Sequence, residues 1–302
     1  MLKHAFLVEA HHQWTLLETL LKLLDHPHND IYLHISSNAQ EYDKEQFRSV
    51  LKYSKLTFVP SIRVSWGGSS QIKCEMNMLK IATKNQYDYY HMISGVDLPI
   101  KPMAYIHRFI EQRKGKEFVH FGTDEYHNSP AIRSRISVYH PLQNIVGRRK
   151  SVLFYLEKII VKAQKILGIN RIKGRENTFG FGCNWFSISH GFATFLVDHQ
   201  NEIFSRFDSS YCADEIFVQT MLKESPYLEN RYEYEEDPHL DYMSCLRYID
   251  WKRGNPYVFC NEDFEDLVNS PYLFARKFDL NVDAQIVFRI YNHLKGQTYE
   301  SV

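Results

Sequence analysis

The chain has 302 residues, 44% of them hydrophobic, so it can bury one large core or two small ones. Lysine plus arginine and aspartate plus glutamate each number 36, and this zero net charge excludes a chain-wide attraction to nucleic acid. The five cysteines are odd in number, widely spaced and without a C-x-x-C pair, which argues against a disulfide framework and a zinc site.

The first 121 residues alternate between strand-like and helix-like segments. Apolar runs predict buried strands at residues 5–10, 30–35, 56–59, 87–93 and 117–121. Helical spacing of apolar residues predicts helices at residues 14–24, 42–53, 72–79 and 103–113. Alternation of this kind predicts an α/β fold with a mainly parallel sheet and helices on both of its faces.

The stretch from Tyr87 to Pro102, YDYYHMISGVDLPIKP, predicts a strand that ends in a turn. Its apolar run stops at Ser94-Gly95, and Pro99 prevents the chain from continuing as a central strand. Asp97 is therefore expected at the carboxyl end of a strand, where open α/β sheets bind their ligands. A plain strand-to-helix turn capped by Asp97 fits this stretch equally well.

Residues 122–147 break the alternation with turn formers and scattered charges, and Arg133, Arg135, Tyr139 and His140 lie close together in this stretch. Unstructured stretches of this length inside a domain are usually functional or mobile, so we expect a long loop or lid here. A disordered insert is the alternative.

Residues 148–175 are basic, with Glu157 as their only acid. One helical face carries the apolar residues Leu153, Leu156, Ile160, Ala163 and Leu167. A basic amphipathic helix of this kind can lie on an anionic membrane surface. The alternative is a helix that packs its apolar side inward and leaves a solvated basic face outside.

The rest of the chain predicts further elements without a linker or internal repeat. They are a strand at 179–189, helices at 191–204 and 214–222, a strand at 246–251, and helices at 262–268 and 282–294. We therefore predict one domain. The chain starts without a charged and then apolar leader and contains no run of about 18 apolar residues, which favours a cytoplasmic location.

Motifs of metalloproteases, P-loop nucleotidases, dinucleotide-binding enzymes and serine hydrolases are absent from the sequence. His11 and His12 follow the first predicted strand, and neighbours on a strand point to opposite faces, so we do not expect them to share a metal. Asp214 and Glu215 begin a predicted helix. They are either first-turn acids or, if one faces a cleft, a general base.

Cations and aromatic residues near predicted strand ends could bind a charged, ring-containing ligand. Arg253 and Lys277 lie in loops beside apolar strands, where they bind phosphate or remain solvated. Trp66 precedes Gly67-Gly68 and offers a flat face for a base or a sugar.

Six blocks of sequence occur in a recognisable order: SWGGSSQIKCEMNML (65–79), YHMISGVDLPIKP (90–102), GFGCNWFSIS (180–189), ADEIFVQTML (213–222), LRYIDW (246–251) and LFARKFD (273–279). Together they resemble the core-2/I-branching β-1,6-N-acetylglucosaminyltransferase family (glycosyltransferase family 14), which also contains peptide O-xylosyltransferases. The chain is similar to a bacterial-type member. The resemblance implies a single GT-A type glycosyltransferase domain, in which a Rossmann-like nucleotide-sugar-binding half (1–121) is fused to an acceptor-binding and catalytic half (122–302).

The resemblance also implies an inverting mechanism without a metal ion or other cofactor. Lys277 falls on a lysine that contacts the diphosphate, and Arg253 falls on its partner arginine across a one-residue gap. Glu215 falls on the catalytic base that takes the proton of the acceptor hydroxyl. Gly95-Val96-Asp97 stands where many relatives by fold keep an Asp-x-Asp metal clamp, so side-chain cations are expected to meet the charge of the leaving group.

The other implied site residues divide between donor and acceptor. Trp66, Gly67 and Asp97 are expected near the UDP moiety. The acceptor is expected near Arg133, Tyr139, Trp185 and Trp251. Ser36 is a departure, because family members often carry an aspartate there for the uridine.

We therefore expect an enzyme that moves a sugar from a UDP-sugar to a glycan hydroxyl, with N-acetylglucosamine as the first choice and xylose as the second. Its expected setting is surface polysaccharide or glycolipid synthesis in the cytoplasm, with peripheral contact to the inner face of the cell membrane through residues 148–175 and no nucleic-acid partner. A non-catalytic UDP-sugar or glycan-binding protein is the alternative. A glycoside hydrolase would need a second carboxylate opposite Glu215.

Overall fold

A computed structural model describes residues 1–123, 129–175, 177–234 and 238–297. Its centre is a six-stranded sheet built from β1 (His4–Ala10), β2 (Asn29–Ile35), β3 (Leu56–Phe58), β4 (Tyr89–Ser94), β6 (Phe118–Val119) and β7 (Phe186–Ser189). The strand order is β3-β2-β1-β4-β7-β6. Strands β1 to β4 are parallel, and β7 runs antiparallel to both of its neighbours. The prediction of a mainly parallel sheet is confirmed.

A second sheet has three strands, β5 (Leu98–Pro99), β8 (Arg247–Ile249) and β9 (Phe274–Arg276), in the order β5-β9-β8. Strand β5 pairs antiparallel with β9, and β8 pairs parallel with it. Pro99 lies on an edge strand, where its missing N–H removes no ladder hydrogen bond. This small sheet connects the turn after β4 to the C-terminal third of the chain.

Helices surround both sheets. Their bounds are α1 (Trp14–Leu24), α2 (Lys44–Ser49), α3 (Ser70–Ala82), α4 (Met103–Glu111), α5 (Pro130–Ser137), α6 (Gln143–Val146), α7 (Val152–Ile166), α8 (His190–Asp198), α9 (Gln200–Phe207), α10 (Phe217–Lys223), α11 (Phe264–Asn269) and α12 (Ala284–Gln297). Short 3₁₀ helices occupy Ala213–Glu215, Leu228–Asn230, Pro238–Cys245 and Asn261–Asp263. Within the part of the chain that the structure describes, no helix combines the length and apolarity needed to cross a bilayer.

The core lies on both faces of the six-stranded sheet, as β1 illustrates. Phe6 and Val8 belong to one buried cluster, and Ala5 and Leu7 belong to the other. Side chains alternate between the two faces of a strand, so a strand covered by helices on both sides is apolar over most of its length. This explains why these strands appear in the sequence as largely apolar runs rather than as an alternation of apolar and polar residues.

The prediction of a long loop at 122–147 is wrong for the part of this segment that the structure describes. Residues 124–128 lie outside the described residues, but helices α5 and α6 occupy much of the remainder. The Ser129 side chain accepts a hydrogen bond from the N–H of Ile132 at 3.3 Å, and Pro130 takes the first helical position. Ile132 and Ile136 then bury one face of α5.

The strand expected at 179–189 is confirmed only at residues Phe186–Ser189. Before it, Gly182 makes a close backbone approach, because a Cβ at this position would lie 1.9 Å from the carbonyl oxygen of His120. The N–H of Gly182 donates to the carbonyl oxygen of Glu215 at 2.9 Å. The glycines of this stretch therefore bring it close to the segment that carries Glu215.

Candidate active site

Two cations lie at the end of β9, next to the turn that follows β4. Arg276 donates from Nη1 to Asp97 Oδ1 at 2.7 Å, and the N–H of Ser94 donates to Asp97 Oδ2 at 2.8 Å. Asp97 is buried, which raises its pKa, and the positive charge of Arg276 opposes that increase. Asp97 is therefore placed as the buried anchor of Arg276. Its predicted contact with the nucleotide is not tested and stays a prediction.

Lys277 follows Arg276 and is partly buried. Its pKa is lowered by burial and by the positive charges of Arg276 and Arg148, against a smaller opposing effect of Asp279. Among the described residues, no hydrogen bond or ion pair within 4 Å engages Lys277 Nζ. We call Arg148, Arg276 and Lys277 the cation cluster. Mutual repulsion in such a cluster is relieved by an anion, which makes it a candidate anion site.

Trp66 lies beside this cluster. The Arg148 guanidinium is 4.2 Å from the centroid of the Trp66 ring, and the Tyr211 ring meets that indole edge-on at a centroid distance of 5.7 Å. Gly67 has φ +72°, and a Cβ there would lie 2.9 Å from the Tyr211 ring, so the position requires glycine. Gln143 Nε2 donates to the carbonyl oxygen of Trp66 at 2.8 Å. Helix α6 thus fixes the turn that presents the half-exposed indole.

Glu215 ends the 3₁₀ helix Ala213–Glu215, and its side chain is 30% exposed. Its Oε2 pairs with Nη1 of Arg135, a residue of α5. The Arg135 guanidinium also lies 5.5 Å from the centroid of the Phe181 ring. The carboxylate is accessible and its direction is fixed, as a group that accepts a proton from a bound substrate requires.

The neighbouring carboxylate, Asp214, has a different environment. It is buried, and its Oδ2 accepts a hydrogen bond from Gln71 Nε2 at 2.8 Å. Burial, followed by the negative charges of Glu215 and Glu9, raises the pKa of Asp214. Asp214 is therefore held inside the protein, and Glu215 is the member of the pair that a substrate can reach.

Tyr211 connects the two parts of the site. Its N–H donates to the carbonyl oxygen of Arg135 at 2.8 Å, and its ring contacts Trp66. Burial raises the pKa of Tyr211 to about 12, against the opposing positive charges of both Arg135 and Arg148. Tyr211 thus lies between the Glu215–Arg135 pair and Arg148 of the cation cluster.

Arg253 is paired with two carboxylates of the protein. Its Nε donates to Asp250 Oδ2 and its Nη1 to Asp263 Oδ1, both at 2.6 Å, and its guanidinium covers the ring of Tyr257 at 4.0 Å. Within the described part of the chain, no contact joins Arg253 to Lys277. The structure therefore does not bring together the two cations that the sequence paired.

The four predicted acceptor residues are dispersed. Trp185 is 6% exposed and lies under Arg276, with the guanidinium 4.5 Å from its ring centroid, whereas Trp251 is 47% exposed. Arg133 and Tyr139 border the surface around α5 and α7. Arg133 lines a groove of about 360 Å³, and the Tyr139 ring lies 4.4 Å from the Arg171 guanidinium.

Ser36 is buried at the end of β2 and bonded within the protein. Its Oγ donates to Asn38 Oδ1 at 2.5 Å and accepts from the N–H of Val64 at 3.2 Å. The hydroxyl thus shapes the loop at the carboxyl end of β2.

The expectation that His11 and His12 point to opposite faces is wrong. Their rings stack with centroids 4.1 Å apart. Strand β1 ends at Ala10, so the alternation of strand side chains does not extend to them. Burial, then His12 and Arg276, lower the pKa of His11 to about 4, so this imidazole adds no charge to the cation cluster near neutral pH.

Sequence reasoning missed three residues of this site in their present roles: Arg135, Arg148 and Arg276. Arg133 and Arg135 are two positions apart on α5, and such residues face roughly opposite sides of a helix. Recognition of the Ser129-Pro130 helix start would have shown that only one of them can reach a given neighbour. No local signal distinguishes Arg148 or Arg276 from the other basic residues.

Comparison with known proteins identifies the family. The model of the Core-2/I-Branching enzyme family matches residues 4–267. The chain belongs to this family. The predicted family and the predicted GT-A type α/β fold are confirmed, whereas the similarity to a bacterial-type member stays a prediction. The chain is an enzyme of the glycosyltransferase class.

Three curated relatives show the range of this similarity. Human N-acetyllactosaminide beta-1,6-N-acetylglucosaminyl-transferase is 24% identical over 299 residues, covering 92% of this chain and 68% of that protein. Human beta-1,3-galactosyl-O-glycosyl-glycoprotein beta-1,6-N-acetylglucosaminyltransferase is 19% identical, and the alignment covers 99% of this chain and 71% of that protein. Rat xylosyltransferase 2 is 22% identical, covering 93% of this chain and 32% of the relative, so the chain spans about a third of that protein. Among solved structures, mouse xyloside xylosyltransferase 1 matches only loosely, with a TM-score of 0.36, 9% identity, and coverage of 90% of this chain and 96% of that one.

Proposed function

We propose that this enzyme transfers a sugar from a UDP-sugar to a glycan hydroxyl with inversion at the anomeric carbon and without a metal ion. N-acetylglucosamine is the first choice of transferred sugar, since two of the relatives are named N-acetylglucosaminyltransferases. Xylose is the second choice, since another relative is named a xylosyltransferase. The acceptor is proposed to be a glycan of surface polysaccharide or glycolipid synthesis. The predicted halves at 1–121 and 122–302 and the cytoplasmic location at the inner face of the membrane stay predictions.

The observation that carries the proposal is the cation cluster beside Trp66. Lys277 is partly buried next to Arg276 and Arg148, yet the only carboxylate bonded to the cluster in the described chain is Asp97, which is buried and directed at Arg276. Two cations therefore remain to meet an anion. A diphosphate has this charge, and the Trp66 ring next to Arg148 suits the flat uracil or the sugar.

Lys277 and Arg148 would act in the proposed reaction on the leaving group. As the bond between the anomeric carbon and the diphosphate oxygen breaks, negative charge accumulates on that oxygen. Cations already in place lower the energy of this transition state without reorganisation. The anchoring of Arg276 by Asp97 would keep the neighbouring Lys277 in position.

Glu215 would act on the opposite side of the sugar. The acceptor oxygen attacks the anomeric carbon, its proton passes to the Glu215 carboxylate, and UDP leaves from the other face. The ion pair with Arg135 would hold that carboxylate in the direction of the acceptor. Asp214 supports the transferase over a hydrolase, because this neighbouring carboxylate is buried and bonded to Gln71 rather than placed across a cleft.

A donor panel in EDTA tests the proposed function. The protein is incubated with UDP-N-acetylglucosamine, UDP-xylose or UDP-glucose and a set of β-galactoside and lipid-linked acceptors, and the β-linked product is measured by mass spectrometry and NMR. We expect transfer from one of the first two donors at a rate that added manganese leaves unchanged. Binding of UDP without transfer to any acceptor would favour the non-catalytic binding protein. Transfer with retention, or only with manganese, would contradict the mechanism.

A further inference from the structure

Helix α7, Val152–Ile166, packs onto the protein through polar side chains. Glu157 and Gln164 are its buried residues. Glu157 Oε1 lies 3.3 Å from His140 Nδ1, and Gln164 both accepts from the N–H of Tyr139 and donates to its carbonyl oxygen at 2.8 Å. The inward side of this helix is thus hydrogen-bonded rather than apolar.

The opposite side of α7 is apolar and exposed. We call it the outward apolar face, and its members are Val152, Tyr155, Leu156, Ile159, Ile166 and Leu167. Exposure reaches 83% at Val152, 63% at Ile159 and 77% at Ile166. These positions follow the three-, four- and seven-residue spacing that places side chains on one side of a helix. A helix packed in water has the reverse arrangement, so the expected alternative of an inward apolar side is wrong.

This exposure is concentrated in one region. Ten of the 17 exposed large apolar side chains in the described chain lie between Tyr139 and Ile169. Exposed hydrophobic residues scattered singly are normal, whereas a contiguous patch of this kind marks an interaction surface. The outward apolar face therefore requires a partner with an apolar interior.

The charges around this face identify the chemistry of the partner. Exposed cations precede the helix or flank it: Arg148, Arg149, Lys150, Lys158, Lys162 and Lys165. The acid of this segment, Glu157, is buried against the protein. The whole chain has no net charge, so the positive charge is local to this surface. An apolar surface bordered by cations complements an apolar phase bordered by anions.

We propose that the outward apolar face docks on the surface of an anionic lipid bilayer. The helix lies in the plane of the interface, with its apolar side chains below the headgroups and its lysines among the lipid phosphates. Its 15 residues give a length of about 22 Å, which suits this orientation and is too short to cross the membrane. A second copy of the chain fits less well, because pairing two such faces brings like charges together.

Docking in this way places the candidate active site beside the membrane. Arg148 precedes α7 and contacts Trp66, so the cation cluster and the docking helix are separated by a few residues of one segment. If the proposed transferase function holds, the acceptor is then a lipid-linked glycan whose sugar extends a short distance from the bilayer. The docking itself does not depend on that function.

Vesicle flotation of the full chain tests the docking. Vesicles of phosphatidylcholine alone are compared with vesicles in which about one lipid in three is phosphatidylglycerol, and both are tested at low and high salt. The wild type should float with the anionic vesicles only, and high salt should weaken the binding. A variant with Val152→Ser, Ile159→Ser and Ile166→Ser should bind at least about tenfold more weakly than the wild type, because its apolar side chains no longer enter the interface.

Two further variants make the test specific. Lys158→Gln with Lys162→Gln should weaken binding about fivefold for each cation removed. Val282→Ser with Phe288→Ser is the matched control, since these residues of another surface are 57% and 49% exposed, and it should float like the wild type. The proposal is overturned if the wild type does not bind anionic vesicles, if the triple serine variant binds as well as the wild type, or if sedimentation shows a dimer that this variant dissociates. Failure here leaves the transferase proposal intact, because flotation needs no catalysis.

Discussion

Two groups of polar residues in this molecule have opposite environments. In the interior, His4 Nδ1 lies 2.8 Å from His91 Nε2, and the rings of His4 and His107 stack with centroids 4.3 Å apart. We call His4, His91 and His107 the histidine stack. At the end of β9, the Lys277 amine of the cation cluster makes no hydrogen bond or ion pair within the described chain.

The degree of burial distinguishes the polar residues that stabilise this fold from those that are available to a ligand. The histidine stack is almost fully buried, and burial lowers the pKa of His4 to about 3 and of His107 to about 2, so these rings are neutral and bonded to their surroundings. The cation cluster is only partly buried, so a ligand can reach it. Changes in the stack should therefore affect stability, and changes in the cluster or beside it should affect chemistry.

The largest effect is expected at the proposed base. Glu215→Gln keeps the shape of the side chain and removes its ability to accept a proton, so kcat should fall by about 10³-fold, while UDP binds as before. Glu229→Gln, at an exposed position, is the matched control and should retain full activity. Steady-state kinetics and calorimetric UDP titration measure both quantities. An active Glu215→Gln enzyme would remove this residue from the mechanism.

The next effect is expected in the cation cluster. Lys277→Ala should lower kcat/KM by about 10²-fold, because a cation that meets the leaving diphosphate is lost. Its melting temperature should change little, because no bond of the amine within the described chain is broken. Lys84→Ala, an exposed lysine after α3, is the control. If Lys277→Ala unfolds the protein and Lys84→Ala does not, Lys277 belongs with the structural residues.

The histidine stack gives the third prediction. The folded-state pKa of His107 lies below the unfolded value of 6.5, so its contribution to stability is present above pH 6.5 and is lost as the pH falls toward about 2. Desolvation raises the pKa of the carboxylates Glu9 and Glu117, and both act in the opposite direction, so the wild-type curve alone is not decisive. The comparison of wild type with His107→Gln isolates the imidazole.

On acidification from pH 7 to pH 5, the free energy of unfolding of the His107→Gln variant should increase relative to that of the wild type by about 2 kcal/mol. Urea denaturation at several pH values measures this difference. A difference that does not change with pH would mean that His107 can be protonated in the folded protein, and the stack would then be no longer a purely structural group.

The smallest effect is expected at Arg253. Arg253→Met leaves the buried Asp263 without its ion-pair partner, and the pair is partly solvent-exposed, so the free energy of unfolding should fall by about 1 kcal/mol. Transfer activity should stay within about threefold of wild type. A large loss of UDP affinity with unchanged stability would show that Arg253 releases its carboxylates to bind the diphosphate, as the sequence predicted.

Much of the fold could be predicted because it depends on local pattern. The runs at β1, β2 and β4 are mostly apolar, since both faces of these strands are covered, and such runs are visible in the sequence. The short β5 was not predicted, because two residues with a proline carry no periodic signal. Helix α5 was missed although Ser129-Pro130 is a typical helix start.

The site could be predicted only in part, because it depends on distant partners. Arg253 and Lys277 look alike in the sequence, each a cation beside an apolar strand. Arg253 meets Asp250 and Asp263 in the folded chain, whereas Lys277 meets further cations. The apolar stripe of α7 shows a similar limit. Its spacing predicts a face, but the hydrogen bonds of Glu157 and Gln164 decide that this face points outward.

Protection of the protein by UDP against thermal unfolding in EDTA tests the central claim most directly, because a ligand that binds only the folded state raises the melting temperature. Wild-type protein should be protected equally in EDTA and in manganese, and Lys277→Ala should lose most of that protection in both. Protection that requires manganese, or that survives in Lys277→Ala, would contradict a diphosphate site built from side-chain cations.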